Sequence, residues 1–238
     1  MNKLFDTNLV FDEDEHKYTL LTNPDLEFTS TTTFIHKFFR PFEAEKVAEK
    51  LVTKVPKYRH MSKQELLDDW KKSATDGTDI HKTLEVYALN RRTRPKHSKA
   101  KQGVLWLKNR VYNKPHLKVY PEVTLFAEDI KISGTIDLLI HNKNTNEYVL
   151  ADWKTNKAIY QESYRGTVGT HKATKSIMDC NYMHYCLQLS MYRYILEKYY
   201  GLAMRKQYIV HLKDTESIEY STPFYQKTIE EMLNADKF

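Results

Sequence analysis

Two acidic residues and one lysine lie on neighbouring apolar segments of this chain, in an order that could hold a metal ion beside a phosphate. Asp137 ends the sequence Gly134-Thr135-Ile136-Asp137, and Asp152 and Lys154 flank Trp153 on the next apolar segment. Side chains alternate along a strand, so Asp152 and Lys154 are expected to share a face while Trp153 points away. Carboxylates bind Mg²⁺ together with water and phosphate, and a neighbouring lysine can serve the attacking water. This pattern indicates metal-dependent hydrolysis of a phosphodiester.

The two segments have the composition of a β-hairpin. Residues 132–140 and 147–153 are rich in β-branched and aromatic residues, and the polar cluster 142–146 separates them. A symmetric turn in that cluster places Asp137 opposite Asp152, with Cβ atoms roughly 5 Å apart. Like charges so close repel each other unless a cation lies between them, which favours a bound divalent ion. The alternative is a surface hairpin that carries these residues by chance, although Asp is depleted in strands.

Length and composition exclude several classes of protein. The chain has 238 residues, 41% of them hydrophobic, and its sequence contains no apolar run long enough to span a bilayer. Cys180 and Cys186 are its only cysteines, too few for a disulfide scaffold or for a four-cysteine zinc or iron–sulfur site. The N-terminus has no signal-peptide pattern. We therefore expect an intracellular protein without membrane contact.

Positive charge is concentrated in one part of the chain. The net charge is +6, and residues 86–121 contain ten Lys or Arg and no acid. A solvated helix face usually mixes both signs, whereas a purely basic block favours contact with a phosphate backbone. The residues that we expect to contact DNA include three arginines of this block and one lysine of the polar segment 155–180, namely Arg91, Arg92, Arg94 and Lys172.

The periodicity predicts one α/β domain, with a helical N-terminal elaboration over residues 1–95 and a core over residues 96–238. A strand, a helix and a strand between residues 147 and 213 form a crossover, which predicts that the last strand runs parallel to the first. Gly77 is a point at which the longest helix could divide into two. The expected helices are 34–39, 42–54, 62–90, 98–113, 181–199 and 224–235, and the expected strands are 8–11, 16–21, 118–127, 131–141, 147–154, 206–213 and 217–222.

Further candidate residues lie on these elements. His81 and Glu85 are four residues apart on one helical face, where an imidazole could bind a metal and a carboxylate could support it. Glu122 is expected to open a strand beside Asp137 and to supply another ligand. Gln188 and Tyr192 share a face of the helix after Lys154 and could hold that lysine or a phosphate. Each of these features taken alone also fits ordinary surface or core packing.

Taken together, the motifs resemble the RecB-like branch of the PD-(D/E)XK nuclease superfamily, and in particular its stand-alone phage or viral members. The resemblance spans nearly the whole chain, and the order of five weak motifs is more specific than any one of them. The motifs that carry it are Gly77-Thr78-x-x-His81-x-x-x-Glu85, Glu122, Gly134-Thr135-Ile136-Asp137, Asp152-Trp153-Lys154 and Gln188-x-x-x-Tyr192, with Val10-Phe11-Asp12-x-x-x-His16-x-Tyr18 and Ser30-Thr31-Thr32-Thr33 before them.

The resemblance implies a restriction-endonuclease-like fold, with a central mixed β-sheet flanked by helices, and a role for each motif residue. Metal ligands for one or two Mg²⁺ or Mn²⁺ ions would be His81, Asp137 and Asp152, assisted by Glu122 and the backbone carbonyl of Trp153. Lys154 would orient or deprotonate the attacking water, with a pKa lowered beside the metal. Gln188 and Tyr192 would position the lysine and the DNA.

The implied activity is metal-dependent hydrolysis of DNA by an exonuclease that prefers single strands or ends, in DNA repair or recombination. Three alternatives stay open at this point: a non-catalytic DNA-binding module on the same fold, a structure-specific or nicking endonuclease, and a nuclease directed at RNA. The chain lacks the helicase portion of large RecB-type enzymes and the cysteines of the iron–sulfur subgroup. The resemblance therefore implies a self-contained nuclease without a motor of its own, for which a separate helicase or recombination protein is a candidate partner.

Overall fold

The segments that carry the acids form neighbouring strands of one mixed β-sheet. The computed structural model describes residues 8–12 and 17–236, so His16 of the N-terminal motif lies outside the described residues. The strands β4 (Leu117–Ala127), β5 (Ile132–Asn142) and β6 (Glu147–Lys154) form an antiparallel meander. Beyond it, β7 (Ala203–Leu212) pairs parallel to β6, which confirms the predicted crossover, and β8 (Ser217–Ser221) pairs antiparallel to β7.

The register of the central hairpin is the predicted one. The β5–β6 ladder runs from Asn142 opposite Glu147 to Leu138 opposite Ala151, one position short of the two acids. The short strand β3 (Thr29–Ser30) pairs with β5 only as far as Ser133. Residues 134–137 of β5 therefore lie between its pairing with β3 and its pairing with β6, and this stretch is the Gly-Thr-Ile-Asp sequence itself.

Helices cover both faces of the sheet, so the fold is an α/β fold with a mixed sheet between two helical layers, as expected. One apolar core joins one face of the sheet to three helices, and a second core joins the opposite face to the long helix and the helix that follows it. The first layer contains α1 (Thr31–His36), α5 (Asn181–Tyr200) and α6 (Gln226–Ala235), and the second contains α3 (Lys63–Asn90) and α4 (Ser98–Leu107), with α2 (Ala44–Lys54) packed on α3.

The longest helix is continuous, so the expected division at Gly77 is wrong. Its start is the predicted capping box, in which Ser62 and Glu65 each bind the backbone N–H of the other. A Cβ atom at position 77 would lie 3.0 Å from Thr155 Oγ1. The glycine thus allows α3 to approach the end of β6 closely, and this approach brings the next helical turn, which carries His81, towards the acids.

Several other boundaries differ from the expected ones. The helix expected over 98–113 ends at Leu107 and continues as a π-helical turn, Lys108–Tyr112. Glu122 does not open a strand, because β4 begins at Leu117; it lies in mid-strand with a positive φ of 46°. The polar segment 155–180 contains two short 3₁₀ turns, Tyr164–Gly166 and Lys172–Thr174.

The opening hairpin forms as predicted, from β1 (Leu9–Asp12) and β2 (Lys17–Leu20). Its Tyr18 hydroxyl lies 2.9 Å from Thr135 Oγ1, which attaches the hairpin to β5 next to Asp137. Within the described residues, none of the helices combines the length and the apolar character needed to cross a membrane.

Candidate active site

Three of the expected metal ligands converge at the open stretch of β5. His81 from α3, Glu122 from β4 and Asp137 from β5 each offer one ligand atom, and these atoms lie within 4.8 Å of one another. His81 Nδ1 is 3.4 Å from Asp137 Oδ1. An imidazole nitrogen with two carboxylate oxygens is a donor set suited to Mn²⁺ and, through its oxygens, to Mg²⁺.

Glu122 reaches this group through a local irregularity of its strand. The β4–β5 ladder pairs Pro121 with Leu138 and Val123 with Ile136, and Glu122, opposite Asp137, has the left-handed backbone conformation. That conformation is costly for a residue with a side chain, by about 1–3 kcal/mol, and such strain is concentrated at functional sites. Here it turns a carboxylate towards two other titratable groups.

Asp152 and Lys154 form a buried pair beside the three ligands. Lys154 Nζ is 2.6 Å from Asp152 Oδ2, and both side chains have little exposure. Trp153 points to the opposite face, where its ring packs edge-on against Trp106 with centroids 5.3 Å apart. The predicted alternation along β6 is therefore confirmed, but Asp152 lies outside the group of three and contacts the lysine.

Asp137 is held by the backbone of β6 at the point where the ladder ends. The Trp153 N–H donates to Asp137 Oδ2 over 2.7 Å, while the other carboxylate oxygen faces His81. This hydrogen bond replaces the strand pairing that stops at Leu138. The assignment of the Trp153 carbonyl oxygen as a metal ligand stays a prediction.

The three ligand groups have shifted pKa values because they are buried close together. Burial lowers the pKa of His81, but the Asp137 charge and hydrogen bond outweigh burial and raise this pKa to about 9. Burial raises the pKa of Glu122 to about 8, and repulsion by Asp137 adds to the effect. Burial also favours the neutral form of Asp137, but His81 and Lys154 reverse this and lower its pKa.

In the pair of Asp152 and Lys154, burial and the neighbouring charges shift each pKa in opposite directions. Burial raises the pKa of Asp152 to about 6 against the opposing attraction of Lys154. Burial lowers the pKa of Lys154, yet the charges of Asp152 and Asp137 outweigh burial and raise it overall. The protein groups therefore do not produce the lowered Lys154 pKa that the sequence analysis expected. The positive charge of a bound metal ion would be needed to lower it.

Gln188 and Tyr192 of α5 form the expected connection to the lysine. Lys154 Nζ donates to Gln188 Oε1 over 3.2 Å, and Gln188 Nε2 donates to the Tyr192 hydroxyl over 3.1 Å. The Tyr192 ring lies directly on Gly134, since a Cβ atom there would be 2.6 Å from Tyr192 Cε1. The glycine of the Gly-Thr-Ile-Asp sequence is therefore required by the tyrosine that holds Gln188.

We expect a Gly134→Ala variant to be destabilised by about 1–3 kcal/mol, because its methyl group would overlap the buried Tyr192 ring. Urea denaturation gives this difference. In the double variant Gly134→Ala, Tyr192→Leu, the smaller side chain relieves the overlap, and the two effects are then less than additive. Additive losses would contradict a direct contact between positions 134 and 192.

Sequence reasoning did not identify Tyr185, which lies one turn before Gln188 on the same face of α5. Its ring centroid is 4.4 Å from Lys154 Nζ, a cation–π distance. Its hydroxyl donates to Asn156 Oδ1 over 2.8 Å, and the Asn156 carbonyl oxygen is 2.7 Å from Nε2 of the buried His211. The helical spacing of positions 185, 188 and 192 is the sequence pattern that could have identified Tyr185.

Replacement of Tyr185 by leucine is expected to reduce any activity that depends on Lys154 by about 2- to 30-fold, the range that corresponds to a cation–π contact of about 0.5–2 kcal/mol. Tyr185→Phe keeps the ring over the lysine and loses only the hydrogen bond to Asn156. The cleavage rate constant of Tyr185→Phe is expected to stay closer to the wild-type value than that of Tyr185→Leu. Equal activity of the two variants would show that the ring has no role.

The basic residues do not form one group around the site. Arg91, Arg92 and Arg94 follow the end of α3, roughly 15 Å or more along the helix axis from His81. Arg91 lies over the Tyr112 ring, and Lys172 is exposed in its 3₁₀ turn.

Lys99 of the basic block reaches the edge of the site. Its Nζ donates over 2.6 Å to the carbonyl oxygen of Thr155, the residue after Lys154. The sequence included Lys99 in the basic block, but no motif distinguished it from the other nine basic residues of that block.

Comparisons with known proteins add little to this geometry. No family model and no curated protein matches the chain. One solved structure, described as "Crystal structure of SSO0001", aligns with 87% of this chain and 73% of that chain at 14% sequence identity, with a TM-score of 0.39. A similarity of this size does not bear on function, so the functional conclusion depends on the side chains of the site.

Proposed function

We propose that this chain is a divalent-metal-dependent nuclease that hydrolyses phosphodiester bonds in DNA, on a restriction-endonuclease-like fold of the PD-(D/E)XK superfamily. One observation carries the proposal. A His–Glu–Asp group with ligand atoms within 4.8 Å lies next to a buried Asp152–Lys154 pair. The first group is suited to a metal ion, and the second places an ammonium group where it can act on water.

The donor set fits the proposed ion. Glu122 and Asp137 repel each other, and this repulsion contributes to the raised pKa of Glu122, so a cation between them would relieve it. His81, Glu122 and Asp137 would hold the ion, with Asp152 as a further ligand. A bound Mg²⁺ or Mn²⁺ supplies a water of lowered pKa and neutralises charge on the leaving oxygen. We expect activity with both ions, and strong activity with Mn²⁺ because of the imidazole ligand.

The protein groups perform the remaining steps. Lys154 orients the attacking water as an ammonium group, or takes its proton as a neutral amine once a bound metal ion has lowered the lysine pKa. The Gln188 amide and the Tyr185 ring hold the lysine nitrogen in place. The Trp153 N–H keeps Asp137 aimed at the ion. All these groups act on the phosphodiester, not on the bases, so broad sequence tolerance is expected.

Digestion of end-labelled linear DNA and of circular single-stranded DNA with Mg²⁺, Mn²⁺ or chelator tests the proposal. We expect metal-dependent degradation of the linear substrate and survival of the circle, as an exonuclease requires. Cleavage of the circle would assign an endonuclease, and degradation of a parallel RNA oligomer would extend the substrate. Binding of DNA without cleavage in either metal would contradict the proposal and favour a non-catalytic module.

The salt dependence of binding tests contact with the phosphate backbone separately. If six or more phosphates are bound, the affinity falls by about 10³-fold or more between 50 and 200 mM salt. A DNA affinity that does not change with salt would exclude the expected contact between basic residues and the phosphate backbone.

A further inference from the structure

A cleft of about 400 Å³ lies beside the candidate site, between α3 and the segment that follows Lys154. The α3 wall includes Trp70 and Gly77, and the opposite wall includes Thr155 and Lys157. Lys99 lies in the cleft and donates to the Thr155 carbonyl oxygen. The cleft therefore begins one residue beyond the proposed catalytic lysine.

The same helix connects the cleft to the metal ligands. Ile80 lines the cleft, and the next residue, His81, belongs to the ligand group. Trp70 is eleven residues before His81, roughly 16 Å along the helix axis. A strand whose phosphate is at the ligand group would need about five nucleotides at the duplex rise of about 3.4 Å to reach Trp70, and fewer if extended.

Trp70 lines the cleft, and the ring of Phe42 packs against it from outside the cleft lining. The centroids of Trp70 and Phe42 are 5.8 Å apart, Phe42 is 71% exposed, and Trp70 is partly exposed. The other tryptophans, Trp106 and Trp153, are only 7% and 2% exposed. Trp70 is therefore the tryptophan that a bound molecule can contact, and its ring can stack on a planar partner.

Cationic side chains border this cleft. Residues 91–101 contain six Lys or Arg and no acid. Arg94 and Lys96 of this segment line a depression that adjoins the cleft at Ile80 and His97, and Asp76 and Asp79 are the acids beside them. Lys157 is 2.7 Å from Asp69 and offsets one acid of the helix, while Asp76 remains as an acid on the cleft wall. An anionic polymer with planar groups matches this combination of cations and exposed rings.

We infer that the cleft binds unpaired DNA, with a base stacked on Trp70 and the phosphates beside residues 94–99. This inference depends on the proposed nuclease function and names the form of its substrate. An unpaired base can offer its face to the indole ring, whereas bases inside a duplex are stacked on each other. Stacking on aromatic side chains beside a basic groove is how proteins bind single strands without reading sequence.

Tryptophan fluorescence tests the inference without any cleavage. In chelator and low salt, a ten-nucleotide oligothymidylate is expected to quench the wild-type protein saturably, and Trp106→Phe is expected to keep this quench. Trp70→Phe removes the quench but retains most of the affinity, measured by anisotropy of a labelled oligomer. Trp70→Leu weakens that affinity by about 5- to 100-fold, the range for one base–aromatic stack.

Two outcomes would overturn the inference: wild-type affinity in a folded Trp70→Leu variant, or equal quenching of Trp70 by a blunt duplex of the same length. Thermal melting of each variant shows whether it is folded. Because the titration contains no metal ion, it is independent of catalysis. Metal-dependent cleavage without quenching would refute only the proposal that the cleft binds unpaired DNA. Quenching without cleavage in any metal would refute only the proposed nuclease activity.

Discussion

A Lys154→Met variant is expected to cleave DNA about two to four orders of magnitude more slowly than the wild type, while binding DNA with nearly the same affinity. The magnitude is that of a positioned group that transfers or orients a proton in the transition state. Methionine keeps most of the side-chain volume in the buried space but provides no ammonium group for water or for Asp152. Single-turnover cleavage of labelled DNA and a separate binding titration measure the two quantities.

The matched control for this variant is Lys143→Met. Lys143 is an exposed lysine in the turn between β5 and β6, so its replacement changes the net charge equally and leaves the site intact. Asp152→Asn, which removes the partner charge, is expected to show a loss similar to that of Lys154→Met. If the folded Lys154→Met protein cleaves within about threefold of the wild-type rate, the assigned role of the lysine is wrong.

An Asp137→Asn variant is expected to bind Mn²⁺ on the order of 100-fold more weakly or worse, and therefore to lose cleavage as well. Replacing residues that merely support a ligand already costs about 10- to 100-fold in metal affinity, and Asp137 is proposed to be a ligand. The asparagine oxygen can still accept the Trp153 N–H, so the backbone arrangement of the site is preserved. Isothermal titration calorimetry measures the loss.

The pKa values of the ligand group predict the direction in which the Mn²⁺ affinity changes with pH. Metal-free His81 and Glu122 have pKa values raised to about 9 and about 8, so both carry protons at pH 7. A metal ion binds their deprotonated forms and must release those protons. The apparent affinity is therefore expected to rise from pH 7 to about pH 9. In Asp137→Asn, less proton release is expected, because Asp137 is what raises the His81 pKa.

Asp179→Asn provides the control for the calorimetry. Asp179 Oδ1 is 3.0 Å from His184 Nε2, so this variant alters a second His–Asp pair that lies outside the ligand group. Proton release is obtained by repeating each titration in buffers of different ionisation enthalpy. Metal binding that is independent of pH, or that Asp137→Asn leaves unchanged, would remove the His–Glu–Asp group from the proposed mechanism.

Local patterns were sufficient for the elements and for part of the site. The symmetry of the polar turn predicted the β5–β6 register, because each residue added to one strand is matched by one on the other. Strand alternation predicted that Asp152 and Lys154 share a face and that Trp153 does not. Helical spacing placed Gln188 and Tyr192 together on α5.

Contacts between distant segments were not predictable in this way. Glu122 faces Asp137 only because β4 adopts a left-handed residue in mid-strand, and nothing in the local sequence distinguishes that position from a strand start. Tyr185 holds Lys154 through the packing of α5 on the sheet, across thirty-one positions of sequence. Gly77 was expected to divide a helix, and Gly134 was noted only as part of the Gly-Thr-Ile-Asp sequence, but each is a point of close approach between two elements.

The sequence by itself determined which chemical groups this protein has and on which strands and helices they lie, because period and turn composition are local properties of the chain. Only the tertiary structure decided how the expected ligands divide: His81 and Glu122 lie with Asp137, while Asp152 pairs with Lys154. The physical reason is that these distances depend on how closely α3, α5 and β4 pack against β5 and β6. That packing depends on glycines, which have no Cβ atom at the points of close approach, and on the strained backbone of Glu122. It also depends on ring contacts between residues that are far apart in the sequence.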